Sequence, residues 1–536
     1  METRRATCVR KARGRHVWMS DEPAAKRCRS DRFAVGQFYL NCVPGERPSP
    51  RNLRWKDLLP NNIESALLTS LEPERSYTWL REVSPGLKRA LLVAERCPKV
   101  EPTPAPELIR RDDEWLVLAG QRGSGLMHCS LMLFRTACFL RLVLGGTNLE
   151  GQFLVDRDAI FVQDFPIKEG AKASDNKPFG ARLEAFLRVL PGCFDTKRCT
   201  LDSESRSTVC GRCEQLLTNV DFSGAEGAFI YSAPGSKHGK GGWMQLCDGL
   251  AEIRAPLLDH NSRLDVAAGH YGAMKQDFFV QMAKAFRRDH STGNDLASVG
   301  HAFLHHPSRR TVLGPSVNSF TVMRFTAPAE NLLNTDILDK YFHDAIPKFD
   351  PESSTEELLV PLLHGKAVLC TSADGSAGVM FVGSHNFSKT AWGEGNQQPG
   401  NVECGVVLKA SGIAEVEELR NRFPVHLAPD ARFAEPAAKR KYVMARGPTD
   451  GDYTSGNGLQ ARWRRCCNDL NYLNEWRDFL HGYWGICSSC GNDVPDPPRG
   501  NIEAAEKRAK AGEAVLCARC ASRGLIKRWE GNGVQT

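Results

Sequence analysis

The stretch PLLHGKAVLCTSADGSAGVMFVGSHNFSKTAWG, residues 361–393, decides how the rest of the chain is read. It opens on His364-Gly-Lys366 at the head of an apolar run and closes on a polar Gly-Ser-His-Asn-Phe-Ser turn followed by Trp-Gly. Two apolar runs separated by Ser-Ala-Asp-Gly read as two strands joined by a turn. On a strand, positions i and i+2 share a face, so His364 and Lys366 point the same way. Asn386 comes 22 residues after His364, at the end of the second run, where a hairpin would return it towards its own histidine.

Upstream, LMHCSLMLFRTACFLRLVLGGTNLEG (residues 126–151) repeats the arrangement with His128, Ser130 and, 20 residues after the histidine, Asn148. Two such sets facing each other suit phosphoryl transfer. That reaction needs a nucleophile, an acid for the leaving group and donors to the phosphate oxygens, which two imidazoles, a lysine and two amides can supply without a metal.

The flanking sequence mixes both periodicities. FAVGQFYLNCV, CFLRLVLGG, GAFIYSAPG and FTVMRF read as strands; GARLEAFLRVL, DFFVQMAKAF and TDILDKYFHDAI read as helices. IRRDDEWLVLAGQRGSGLMHCSLMLFR reads as strand, Gly-rich loop, strand. The class is α/β. At 536 residues, 41% hydrophobic and 25% charged, the chain has a globular profile with room for two or three domains. No apolar run is long enough to span a bilayer, and the basic N-terminus lacks the apolar region of a secretory signal. The net charge of +7 is compatible with a phosphate-rich partner.

Around the motifs the chain resembles the tyrosyl-DNA phosphodiesterases of the phospholipase D superfamily, whose pattern is His-x-Lys then Asn, twice. The likeness is carried by GSHNFSKTAWG and NVECGVVL, and also by VGQFYLNCVPGERPSPRNLRWKDLLP, FIYSAPGSKHGKGGW and RFPVHLAP, from about Phe38 to about residue 445. It implies two pseudo-symmetric phospholipase D-like α/β halves forming one active-site cleft. The expected boundaries are a basic arm at 1–34, halves at 35–235 and 236–445, and a linker with a Cys-rich region at 446–536. It implies His128 as nucleophile, forming a phosphohistidine, and His364 as general acid. Lys366, Asn148 and Asn386 would hold phosphate oxygens, Glu403 would orient a site histidine, and Ser388 would lie at the phosphate-binding turn. The implied substrate is DNA with modified 3′ ends, single- or double-stranded, processed in repair by a nuclear, monomeric protein that uses no cofactor for catalysis and no membrane.

The resemblance breaks at Ser130, where the family has its first lysine. Losing a charged donor to the phosphate costs on the order of 2.7–4 kcal/mol. Arg122, Arg135 and Arg141 are the candidate substitutes. Ser130 also leaves open a homologue that binds DNA ends without turnover; a diesterase of lipids or small molecules is a further alternative. SKHGKGG, with His238 and Lys240, contains another His-x-Lys, but no asparagine-bearing strand follows it and it reads as a loop.

The 19 cysteines, in a chain without a secretory signal, point to reduced thiols and metal ligands rather than a disulfide framework. Cys487, Cys490, Cys517 and Cys520 form two Cys-x2-Cys knuckles with 26 residues between them, a donor set for a structural zinc ion. Cys193, Cys199, Cys210 and Cys213 make a second, less regular candidate set.

Overall fold

The computed structural model describes residues 31–427, apart from 44–45, 71–86, 88, 95–106, 112–114, 120–126, 147–155, 176–177, 195–199, 235–240, 273–274, 290–294, 307–336, 338–339, 346 and 350–362. The basic arm up to residue 30, the linker and the Cys-rich region with its four knuckle cysteines lie outside the described residues, as do Arg122, Asn148, Cys199, His238, Lys240 and all of FTVMRF.

Two mixed sheets carry the fold. The first contains β1 (Gln37–Asn41), β2 (Asn52–Leu53), β3 (Ser65–Ser70), β4 (Arg89–Ala94), β5 (Glu107–Arg111), β6 (Trp115–Ala119), β7 (Leu131–Arg135), β8 (Phe139–Gly145) and β9 (Ala159–Pro166), in the order β2-β1-β9-β8-β7-β3-β4-β6-β5. The second contains β10 (Ala228–Ser232), β11 (Arg263–Ala267), β12 (His301–His306), β13 (Phe342–Asp344), β14 (Lys366–Thr371), β15 (Ala377–Gly383) and β16 (Glu403–Ser411), in the order β10-β16-β15-β14-β11-β12-β13.

The second order repeats the first. β1-β9-β8-β7-β3-β4-β6 and β10-β16-β15-β14-β11-β12-β13 match strand for strand. In both, the first four pairings are antiparallel and the last two parallel. β2 and β5 are edge additions to the first copy. The pairing also aligns the copies residue by residue. Leu131 opposite Leu144 puts Ser130 opposite Gly145, as Lys366 is opposite Gly383. Gly145 opposite Ile160 then corresponds to Gly383 opposite Gly405, so Asp158 occupies in the first copy the place of Glu403 in the second.

Strand alternation sorts the apolar residues into separate cores. Leu131, Leu133, Leu142 and Leu144 join Leu369, Met380, Val382 and Val406 in a core shared by both sheets. Met132, Phe134, Val143 and Ile160 face the opposite side of the first sheet. Strands buried on both faces read as continuous apolar runs, which is why β7, β8 and β15 stand out in the sequence.

The helices complete the layers. α1 (Pro178–Val189) sends Phe179, Leu183 and Phe186 into the shared core. α2 (Ser203–Leu217) is opened by the Asp202 side chain, which accepts from Ser205 N at 2.8 Å. α3 (Trp243–Glu252) and α4 (Gln276–Arg287) cover the far face of the second sheet through Leu246, Leu250, Phe278, Phe279 and Phe286. α5 (Lys389–Trp392) and α6 (Ile413–Arg422) flank β16 in the chain.

Three local expectations change. The strand expected at IRRDDEWLVLAG is a hairpin of two, β5 and β6. The helix expected over 335–346 stops at Tyr341: residues 337, 340 and 341 are helical, and beyond them Phe342–Asp344 pair with the edge of β12 as β13, where backbone pairing overrides the helical spacing. The polar segment carrying Cys210 and Cys213 is α2, and Cys213 packs in the shared core with its thiol pushed up to about 12 by burial. Cys193 donates to Val189 O. Among the described residues no group of three or more His, Cys, Asp or Glu is placed to hold a metal ion.

Candidate active site

The two copies exchange strand ends. Met127, just ahead of β7, makes a parallel bridge to Val402, just ahead of β16, and His128 N donates to Val402 O at 3.1 Å. In the mirror position Leu363 bridges Arg157, just ahead of β9, and His364 N donates to Arg157 O at 3.1 Å. Each histidine of the paired motif is therefore seated on the other copy's sheet. The approach is tight: a Cβ on Gly365 would meet Asp158 Cα at 2.9 Å, and one on Gly146 would meet Lys366 N at 2.6 Å. Glycine is required at both positions by contact.

His128 is only partly buried and is held through one nitrogen. Its Nδ1 lies 3.0 Å from Glu403 Oε2 and 3.0 Å from Ser384 O. Both partners are acceptors, so Nδ1 carries a proton, and in the neutral ring the lone pair is on Nε2. Glu403 is fully buried. Its Oε2 also accepts from Ser384 Oγ at 2.6 Å and its Oε1 from Asn401 Nδ2 at 3.0 Å. Burial pushes the Glu403 carboxyl up, but the charge and hydrogen bond of His128, with His385 and Ser384, outweigh it and hold the group below its ordinary value.

The second motif is arranged differently. Lys366 is buried; its ammonium donates to Gly146 O and lies 3.5 Å from His364 Nδ1. The His364 ring is flanked by Gly269, in the loop after β11. The same loop supports the Asn386 turn, with Phe387 N donating to His270 O and Gly272 against Ser388. The buried Oδ1 of Asn386 has no hydrogen-bond partner among the described residues. Asp158, the counterpart of Glu403, accepts from Gly146 N at 2.8 Å.

Ser130 is 1% exposed, and its Oγ has no partner among the described residues. Neither described arginine stands in for the missing lysine. Arg135 is at the far end of β7, donating to Leu216 O and Thr218 O, and Arg141 is closed in a buried two-point ion pair with Asp164 at 2.7 and 2.8 Å. Ser388 caps α5, its side chain accepting from Ala391 N.

Sequence reading passed over Ser384, His385, Asn401 and Asp158. His385 was visible inside GSHNFS, but its role depends on β10: Ser232 Oγ donates to Ala391 O and accepts a hydrogen bond from His385 Nε2 at 3.0 Å, while the ring lies 4.2 Å from that of Trp392. Burial lowers this histidine to about 4, against an ordinary 6.5, with Glu403 raising it and His128 lowering it further. Between these pH values the unfolded chain binds a proton that the folded chain refuses, so stability falls as pH drops from about 6.5 to 4. The shift corresponds to about 3 kcal/mol. Replacing His385→Asn should flatten that part of the acid limb, read as urea midpoints at pH 7 and 4.5; equal losses in variant and parent would contradict it.

A duplicated α/β sheet protein with a carboxylate-held imidazole in one copy and an imidazole–lysine pair in the other has the parts of a metal-free phosphoryl-transfer site. A family model described as tyrosyl-DNA phosphodiesterase matches residues 121–450, and the chain belongs to that family. The crystal structure of the yeast tyrosyl-DNA phosphodiesterase is similar over 71% of this chain and 90% of its own, with a TM-score of 0.53 at 15% identity. A mutant form of the yeast enzyme is similar over 69% and 89%, with a TM-score of 0.53 at 16% identity. At such identities the likeness is one of fold. No curated protein matches by sequence.

Proposed function

We propose that this chain hydrolyses phosphodiester adducts at DNA 3′ ends, a 3′-phosphotyrosyl end being the test case, through a phosphohistidine on His128. The observation that carries the reading is the Nδ1–H of His128 held by the buried Glu403 carboxylate, which in the neutral ring puts the lone pair on Nε2. In the first step Nε2 attacks phosphorus, the bond from phosphorus to the tyrosyl oxygen breaks, and His364 gives its proton to the leaving phenolate. In the second step His364 takes a proton from water, the water oxygen attacks phosphorus, and the bond to His128 breaks, leaving a 3′-phosphate. Lys366, Asn386 and Asn148 bind the phosphate oxygens. None of these steps calls on a metal.

The test is incubation of the purified full chain with a 3′-phosphotyrosyl oligonucleotide in EDTA, with release of free tyrosine and a 3′-phosphate expected. A folded chain that binds these ends without releasing tyrosine would overturn the reading in favour of end binding alone.

Ser130 supplies a sharper version. In the repeat, Ser130 corresponds to Lys366, whose ammonium reaches Gly146 O across the copies. A lysine at 130 would reach towards Ser384 O in the same way and restore a cation beside the phosphate. Ser130→Lys should raise turnover by about 10²–10³-fold, the effect of one preorganised donor. Unchanged or lower turnover in a folded variant would mean that the site already has its positive charge from elsewhere.

A further inference from the structure

We propose that Cys129 and Cys404 are a covalent modification site: a disulfide pair that staples the two copies together beside the histidine–carboxylate pair. Three observations place it. The bridge from Met127 to Val402 is parallel, so two residues further on Cys129 comes opposite Cys404. Their sulfurs are 2.7 Å apart and both side chains are fully buried. In the mirror position the matching residues are Gly365 and Ala159, where a Cβ on Gly365 would meet Ala159 N at 3.1 Å. The copies thus approach closely at both positions, and only this one places two thiols face to face. Neither cysteine belongs to the phosphate chemistry, yet Cys129 lies between His128 and Ser130, and Cys404 follows Glu403.

A disulfide needs its sulfurs about 2.0 Å apart, so closure asks for a shift of well under 1 Å. The oxidant is hydrogen peroxide. One sulfur attacks the peroxide oxygen, becomes a sulfenic acid and releases water. The second thiol attacks that sulfur, the S–O bond breaks, a second water leaves, and the two thiols have lost two electrons and two protons. Burial raises the Cys404 thiol well above its ordinary value, with Cys129 and Glu403 adding to the effect, so closure should be faster in alkaline than in neutral solution.

The link would join positions 275 residues apart, which restricts the unfolded chain. The oxidised protein should therefore unfold at higher urea than the reduced protein, and the difference should vanish in Cys404→Ala.

The decisive experiment is a non-reducing peptide map of the full chain. Hydrogen peroxide treatment is continued until the partly exposed Cys42, Cys138 and Cys210 are consumed; the protein is then denatured in excess iodoacetamide and digested. The expected result is a peptide pair joining Cys129 to Cys404, two hydrogens lighter than the separate peptides and cleaved by dithiothreitol. Recovery of both cysteines as alkylated thiols, or of either one linked elsewhere, would overturn the proposal. The map reads the link directly, so it stands or falls apart from the catalytic reading.

Discussion

Replacing His128 with alanine should lower turnover of a 3′-phosphotyrosyl oligonucleotide by more than about 10³-fold, since removing a nucleophile leaves only binding and charge stabilisation. The side chain is partly exposed and, among the described residues, makes its ring hydrogen bonds through Nδ1, so the fold should survive the change. His364→Ala separates the two steps. With a tyrosyl leaving group it should be slow, because the phenolate departs without a proton. With a 3′-p-nitrophenyl phosphodiester, whose leaving group needs no acid, the first step should proceed and the second should stall for want of a base. Labelled DNA should then stay attached to the His364→Ala chain on a denaturing gel kept at alkaline pH, and to no chain lacking His128. Adduct on the doubly substituted chain, or none on the single variant while nitrophenolate is released, would exclude His128 as the attacking group.

Glu403→Gln should cost about 10⁴-fold, the order found when a carboxylate that fixes a catalytic imidazole becomes an amide. Among the described residues Glu403 accepts from three side chains: His128, Ser384 and Asn401. An amide has one acceptor oxygen. If that oxygen keeps Asn401, the amide NH2 faces Nδ1 and favours the imidazole tautomer with its proton on Nε2, which removes the lone pair that would attack phosphorus. The change should therefore appear in kcat and in the level of phosphohistidine, with KM little altered, and Glu403→Asp should recover part of the loss. A folded Glu403→Gln variant within tenfold of the parent would assign the carboxylate a purely structural role.

The two motifs were legible in the sequence because they are local. In the second motif a histidine, a lysine two positions on and a returning asparagine lie along one apolar hairpin, and β14 and β15 were visible as runs buried on both faces. Glu403 was reachable only through the family resemblance, since 275 residues separate it from His128. Asp158 had no signal of its own and emerges only when the strand registers of the two sheets are aligned. The arginines offered as substitutes for the lysine at 130 were chosen by proximity in the chain. Strand direction carries Arg135 to the other end of β7, and Asp164 on the neighbouring strand neutralises Arg141.

The sequence by itself determined the α/β class, the pairing of His128 with His364 as repeated motifs, and the oddity of Ser130, since each rests on residue type and short spacing. Only the tertiary structure decided that each histidine sits on the other copy's sheet, that the repeat extends to seven strands in matching order, and that Cys129 faces Cys404. The reason is physical. Periodicity dictates which face of a strand is buried, but the partner across an interface depends on sheet register and on how two apolar faces pack, and neither leaves a mark on residues hundreds of positions apart.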